Sequence, residues 1–275
     1  MRKSKTATVI KYIIMSLFAL VFLTPLYYAV INSFSPLYSS SVVFPKDFVL
    51  ENYKLAVTLI PFVRYFVNSL IIVAITTGMS LVLDFAYAYS LSRLKTRGRN
   101  TIFKITLAQM MIPGFAVSIP QYIVFSYLGV KNTFWIYVLM SLPGNAYIIF
   151  LYRQFLFNIP YSIEEAAIID GCGGFGIIYR IFFPLCKPVI AIATFTSFNA
   201  WWGDYMTPYM YLSEDLYPLA YALFDTSFTM PNDPSTKLHT VTYAAAILFA
   251  IPVFLVFFKC QKYLVEGVTA GSVKG

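Results

Sequence analysis

Apolar runs long enough to cross a bilayer alternate with short polar stretches along this chain. The runs extend from Tyr12 to Ile31, from a start at Asn68-Ser69 to about Leu91, from Ile105 to about Leu128, from Phe134 to Tyr152, from Val189 to about Tyr211, and from about Thr240 to Phe258. A hydrocarbon core of ~30 Å needs about 20 apolar residues per helix, so the pattern predicts roughly six transmembrane helices. The runs are continuously apolar and do not alternate, which favours helices over a barrel. The expected fold class is therefore all-α and polytopic. A loop, Phe34 to Asn68, is expected between the first two spans, with Asn68-Ser69 capping the second. Pro113, Gly114 and Pro120 interrupt the third span, and Pro143 and Gly144 the fourth. Breaks of this kind free carbonyls that neighbouring groups must satisfy, so these helices either line a pathway or are simply kinked.

Composition strengthens the membrane assignment. Of 275 residues 59% are hydrophobic and 12% charged, with a mean hydropathy of +0.71, against ~45–50% apolar residues in soluble domains. The net charge of +8 comes from basic residues at the ends of apolar runs, without a basic helix or aromatic-basic module, which argues against a nucleic-acid partner. Placing the N-terminus inside puts 15 of the 20 Lys and Arg residues, including Arg93, Lys95, Arg97 and Arg99, on the cytoplasmic side. The positive-inside rule favours that orientation, with both termini cytoplasmic. The first run is longer than a signal-peptide core and has no clear cleavage site, so an uncleaved span is expected. Cys172, Cys186 and Cys260 have no metal-ligand spacing and are expected to be free thiols. The chain divides into residues 1–68 (a cytoplasmic start, the first span and an external loop), a transmembrane core at 69–262, and a cytoplasmic tail at 263–275.

One polar-flanked island, Ile159 to Pro188, stands apart. Ser162 followed three residues on by Glu165 has capping-box spacing and predicts a short helix from about Ile163, with Glu164 and Glu165 in its first turn. Gly171 is placed to end it, and Gly173 and Gly174 to loosen the chain before a second helical run, Phe175 to Phe183, stopped by Pro184. On these grounds alone it is a capped connector. The set Glu165-Ala166-Ala167, Gly171, Ile181 and Phe183-Pro184 also resembles the EAA loop of binding-protein-dependent ABC importer permeases, with Phe183 where that family usually has Leu. The resemblance implies a type I ABC importer permease-like fold, in which this loop is the coupling site for a cytoplasmic ATPase. Ser162, Glu164, Glu165, Ala166, Ala167, Asp170 and Gly171 are then the coupling residues: the acids orient the helix and meet basic groups of the ATPase, Ala166 and Ala167 allow close approach, and Gly171 sets the turn. FVLENYKLAV resembles the segment preceding the family's core. YLVEGVTAGSVKG, from Tyr263, resembles the tail of carbohydrate-uptake permeases of the maltose-importer kind, implying a second ATPase contact through Thr269 and Gly271.

Two further sets carry candidate chemistry. Asp84 lies inside the second span, where a carboxylate costs at least ~2.5–3.5 kcal/mol, so it must face the bundle, a partner or water. It is either a proton or ion relay or a structural hydrogen-bond acceptor. Asn199, Trp201, Trp202 and Asp204 combine aromatic faces with polar groups, as sugar sites do, or form an interfacial aromatic belt. This stretch resembles the family's fifth-helix pattern, with Gly203 where Asn is usual. His239 is expected to cap or face solvent. No metal site, nucleophile-base set or phosphate loop is predicted, so the chain is read as a non-enzymatic subunit without a cofactor, ATP and Mg belonging to the partner ATPase. The resemblance implies as partners a second, different permease, two copies of the ATPase, an extracellular or periplasmic solute-binding protein and a sugar, an oligosaccharide first, within the bacterial cytoplasmic membrane lipid. The competing classes are an ion-coupled transporter using Asp84 and a non-transporting scaffold.

Overall fold

The computed structural model describes residues 5–39, 43–44, 47–225, 228–230 and 233–272. The chain forms α1 (Lys5–Ser33), α2 (Glu51–Thr58), and α3 (Phe62–Met79), which runs through a π turn at Ser80–Asp84 into α4 (Phe85–Ser92). Next come α5 (Arg99–Ala108), α6 (Gly114–Tyr127), α7 (Trp135–Ser141), α8 (Ala146–Phe157) and α9 (Tyr161–Ile169). A helical return segment at Gly174–Leu185 leads into a helix at Lys187–Trp202. Short helices at Met206–Tyr211 and Leu219–Asp225 precede the last helix, His239–Ser272. The fold is all-α as expected, apart from a small antiparallel hairpin of Thr229–Met230 with Asp233–Lys237.

Among the described residues, three helices are apolar and long enough to cross a membrane: Thr8–Ser33, Phe62–Ser92 and His239–Leu264. Three bent pairs pass the same test together, which makes six spans if each pair is one. They are Arg99–Met111 with Gly114–Tyr127 at 101°, Trp135–Ser141 with Ala146–Phe157 at 45°, and Gly174–Leu185 with Lys187–Trp202 at 80°. The first two bends fall at Pro113 and at Pro143-Gly144, where the breakers predicted them. At the second, Tyr87 donates its hydroxyl to the Leu142 carbonyl at 2.7 Å, satisfying a backbone group that the break leaves free.

Several boundaries differ from expectation. The loop after the first span contains α2, and α3 begins at Phe62, so Asn68 and Ser69 lie inside a helix and do not cap it. Both are buried. Asn68 donates to the carbonyls of Asp215 (3.0 Å) and Tyr217 (3.1 Å), and Ser69 accepts the Leu219 N–H at 2.8 Å. Tertiary partners 147 to 150 residues away thus use polar groups whose local spacing suggested a cap. The fifth span ends at Trp202, well short of Tyr211. The return segment runs past Pro184 and bends at Cys186. Pro188 has no N–H for the Pro184 carbonyl and its ring crowds that oxygen, which puts the bend there.

Contacts divide the chain into two units, Met1–Arg64 with Ala222–Ile251, and Tyr65–Tyr221 with Pro252–Gly275. In the first, buried Asn52 donates to the Ser33 and Ser35 carbonyls (2.9 and 2.7 Å) and accepts from Thr240 at 3.0 Å. In the second, α4 and α8 pack along their lengths around Phe85, Ala88, Ile148, Tyr152 and Leu156. Phe85 meets Tyr152 and Phe183 edge to face, each at 5.3 Å. The three cysteines are free thiols.

Candidate translocation cavity and coupling loop

Within the second unit, the π turn, the broken fourth span and the Lys187–Trp202 helix enclose a cavity of about 120 Å³. Its polar lining is Thr76, Ser80, Asp84, Ser141, Asn145 and Ser197, with Met140, Gly144 and Trp201 completing it. Irregular backbone at membrane depth is tolerated where it lines such a space. The lining comes from distant segments: a π turn adds a residue to the helix and re-aims its side chains, and a glycine at φ +78° re-aims the chain before α8.

Asp84 is fully buried and accepts two hydrogen bonds, one from the Ser80 hydroxyl and one from the Asn145 N–H at 2.8 Å. Asn145 in turn caps α8, its Oδ1 accepting from Tyr147 (3.0 Å) and Ile148 (3.3 Å). The carboxylate therefore sits at the positive end of α8, where helix dipole and charge-assisted bonds offset part of its desolvation. Of the two roles open in the sequence, this geometry is that of an acceptor tying the second span to the fourth. Asn keeps an acceptor oxygen, so Asp84→Asn is expected to leave uptake and its pH profile unchanged in vesicles. A flattened pH profile would restore the relay.

The structure separates the four aromatic and polar candidates. Trp201 lines the cavity and meets the buried Tyr137 edge to face at 5.5 Å. Trp202 is 1% exposed, stacked on Phe198 and edge-on to Phe66, which makes it a packing residue in this conformation. Asp204 caps the next helix, accepting from Met206 and Thr207, both at 3.1 Å. Asn199 is exposed and lies off the cavity lining. His239 is exposed at the first position of the last helix. No group of His, Cys, Asp and Glu able to hold a metal occurs among the described residues.

At the other site, α9 begins at Tyr161, with Pro160 in the cap position and no side-chain cap. The predicted capping box between Ser162 and Glu165 does not form. Pro160, at φ −58° and ψ 141°, stands outside the helix, and Tyr161 opens it, which leaves the Ser162 hydroxyl inside the first turn. The predicted C-terminus is present. Gly171 has φ +78°, its N–H bonds to the Ile168 carbonyl (3.0 Å), and Cys172 N–H bonds to that of Ala167 (2.9 Å), a Schellman closure. Ala167 faces inward and is 4% exposed, while Ser162, Glu165, Ala166 and Asp170 are exposed. Beside them Ile169 and Phe175 stand 85% and 80% exposed. Of the tail residues, Thr269 and Gly271 continue the last helix, and the Thr269 side chain lies outside what the structure describes.

Arg93, which the sequence marked only as one of several cytoplasmic charges, is the residue that reasoning from the chain missed. It is 4% exposed and donates to the Leu156 carbonyl and, at 2.5 Å, to that of Ile159, closing the C-terminal end of α8. Its guanidinium lies over the rings of Tyr161 (4.6 Å) and Phe182 (4.8 Å) and faces Glu164 at 3.9 Å. Tyr89 donates to the other Glu164 oxygen at 3.4 Å. Glu164 is thus engaged by its own chain, and of the two acids Glu165 is the exposed one. Arg153 acts alongside, bonding the Leu91 carbonyl (3.2 Å) with its guanidinium over Phe103 at 3.8 Å.

Broken apolar helices around a polar niche, with a short exposed helix between two of them, are the build of a polytopic helical membrane protein. The family described as binding-protein-dependent transport system inner membrane component matches residues 85–269, and the chain belongs to it. It is 31% identical over 96% of its length to the galactooligosaccharides transport system permease protein GanQ of Bacillus subtilis (strain 168), covering 94% of that protein. It is 30% identical to the polygalacturonan/rhamnogalacturonan transport system permease protein YtcP of the same organism, over 99% of this chain and 100% of that one. A solved bacterial ABC transporter involved in the import of the acidic polysaccharide alginate has the same fold, with a TM-score of 0.83 at 24% identity over 96% of this chain and 98% of the other. The chain is accordingly a multi-pass membrane permease of a binding-protein-dependent transport system, and this membership gives the ion-coupled alternative no support.

Proposed function

We propose that this chain forms half of the translocation pathway of an ATP-driven oligosaccharide importer, paired with a second, different permease and two copies of a cytoplasmic ATPase. A solute-binding protein delivers the sugar on the outer face. One observation carries the coupling assignment. The Tyr161–Ile169 helix and the turn after it expose Ile169 and Phe175 together with the charged Glu165 and Asp170, an apolar patch that a protein cleft would cover. The oligosaccharide class is supported by the relatives' substrates, and the inside placement of the loop and both termini by the distribution of Lys and Arg. Trp201 and the Asp84 cavity are the pathway residues of this reading. The chain supplies no catalysis of its own; ATP and Mg are held by the ATPase.

Motion of the helix, gripped by the ATPase, is passed to the spans as rigid elements, alternating access between the two faces. The test is co-purification from native membranes followed by mass spectrometry. Wild type is expected to retain an ATPase and a second permease. Glu165→Lys reverses an exposed charge, and Gly171→Asp forces a side chain onto φ +78°, at about 1–3 kcal/mol of strain. Both are expected to lose the ATPase alone. A wild-type chain that purifies by itself would overturn the reading.

A further inference from the structure

Arg93 is the point at which four segments meet: α4, which it follows directly, the end of α8, the first turn of α9 and the return segment through Phe182. Its contacts fall into two classes. Those to α8 are short bonds to backbone carbonyls. That to Glu164 is long, 3.9 Å between Nη1 and Oε2, where a formed guanidinium–carboxylate bond measures about 2.7–2.9 Å. Arg93 Nε and Nη1 and Glu164 Oε2 are all buried and make no hydrogen bond to any described residue. The Phe182 ring and the carbonyls of Leu156 and Ile159 hold the guanidinium from outside α9, so closing the gap falls to Glu164 and the helix that bears it.

We infer that Arg93 and Glu164 form a two-position link between the coupling helix and the α4–α8 pair, open in this conformation and closing to a direct charge-assisted bond when the ATPase displaces α9 by about the missing ångström. The inference rests on the coupling role proposed above. Buried donors and an acceptor left without partners favour any movement that pairs them. The link therefore gives α9 a second preferred position and hands its displacement to the helix that begins at the Asp84 cavity. Arg93 is a positioning residue, since it lines neither the cavity nor the exposed face of α9.

The experiment uses the complete importer in proteoliposomes, with co-purified subunits, ATP hydrolysis and sugar transported per ATP measured together. Glu164→Gln removes the charge and preserves shape and the Tyr89 bond. It is expected to keep the ATPase bound and hydrolysis running while sugar per ATP falls about tenfold, equivalent to ~1.4 kcal/mol of coupling. Arg93→Lys is expected to fall similarly, and the double variant no further than either single one, because the two residues act as one unit. Normal sugar per ATP in Glu164→Gln, or losses that add in the double variant, would overturn the link and leave the docking role standing. Loss of the ATPase from Glu164→Gln would also overturn it, by placing Glu164 in the dock itself. Wild-type proteoliposomes without ATP-dependent uptake would instead overturn the importer reading.

Discussion

Arg93→Ala is expected to abolish assembly of the importer and to leave little folded chain in the membrane. The substitution removes a cation that closes the last carbonyls of α8, at Leu156 and Ile159, and leaves the Glu164 carboxylate without its counter-charge. Removing one partner of a buried charge pair destabilises by about 3–5 kcal/mol, a large share of the 5–15 kcal/mol that holds a typical domain. Two aromatic faces packed on the guanidinium lose their partner as well. The measurements are chain abundance in the membrane fraction and the thermal aggregation midpoint of the detergent-solubilised complex. Wild-type abundance and midpoint would show that Arg93 carries no structural weight. Arg93→Lys, which keeps the charge, is expected to retain most of the folded chain.

Gly144→Val is the second large effect. A Cβ at this position meets Asp84 Oδ1 at 2.8 Å, Ile149 Cδ1 at 2.9 Å and Tyr87 Cδ2 at 2.9 Å, and the backbone stands at φ +78°. A β-branched residue is a conformational outlier there. Strain of about 1–3 kcal/mol and overpacking of a similar size together give roughly 2–6 kcal/mol. The side chain would also push the Asp84 carboxylate from the start of α8 and enter the cavity. Uptake is therefore expected to fall further than abundance, as measured by transport per quantity of membrane-inserted chain. Equal losses in the two would mean that the cavity itself is not on the pathway.

The two positions differ in how visible they were. Gly144 follows Pro143 and precedes an Asn that caps an apolar helix, so a break and a restart were legible from local chemistry alone. Nothing local identified Arg93. It lies in a basic run whose members look alike, and its partners are 63 to 89 residues further along. Ser162 shows the opposite error: its spacing to Glu165 fits a capping box, yet the helix starts at Tyr161 and Glu164 turns to Arg93.

Hydropathy and charge by themselves determined the helical membrane class, the six apolar runs and the places where Pro and Gly interrupt them, because backbone satisfaction in lipid is a local requirement that each segment meets alone. The turn at Gly171 was equally local, since only its own φ is involved. Where each span ends, which of Trp201 and Trp202 faces the cavity, and what Asp84, Asn68 and Arg93 bond to were decided only by tertiary structure. Those polar groups satisfy backbone atoms 61 to 149 residues away, and no pattern of neighbouring residues carries that pairing.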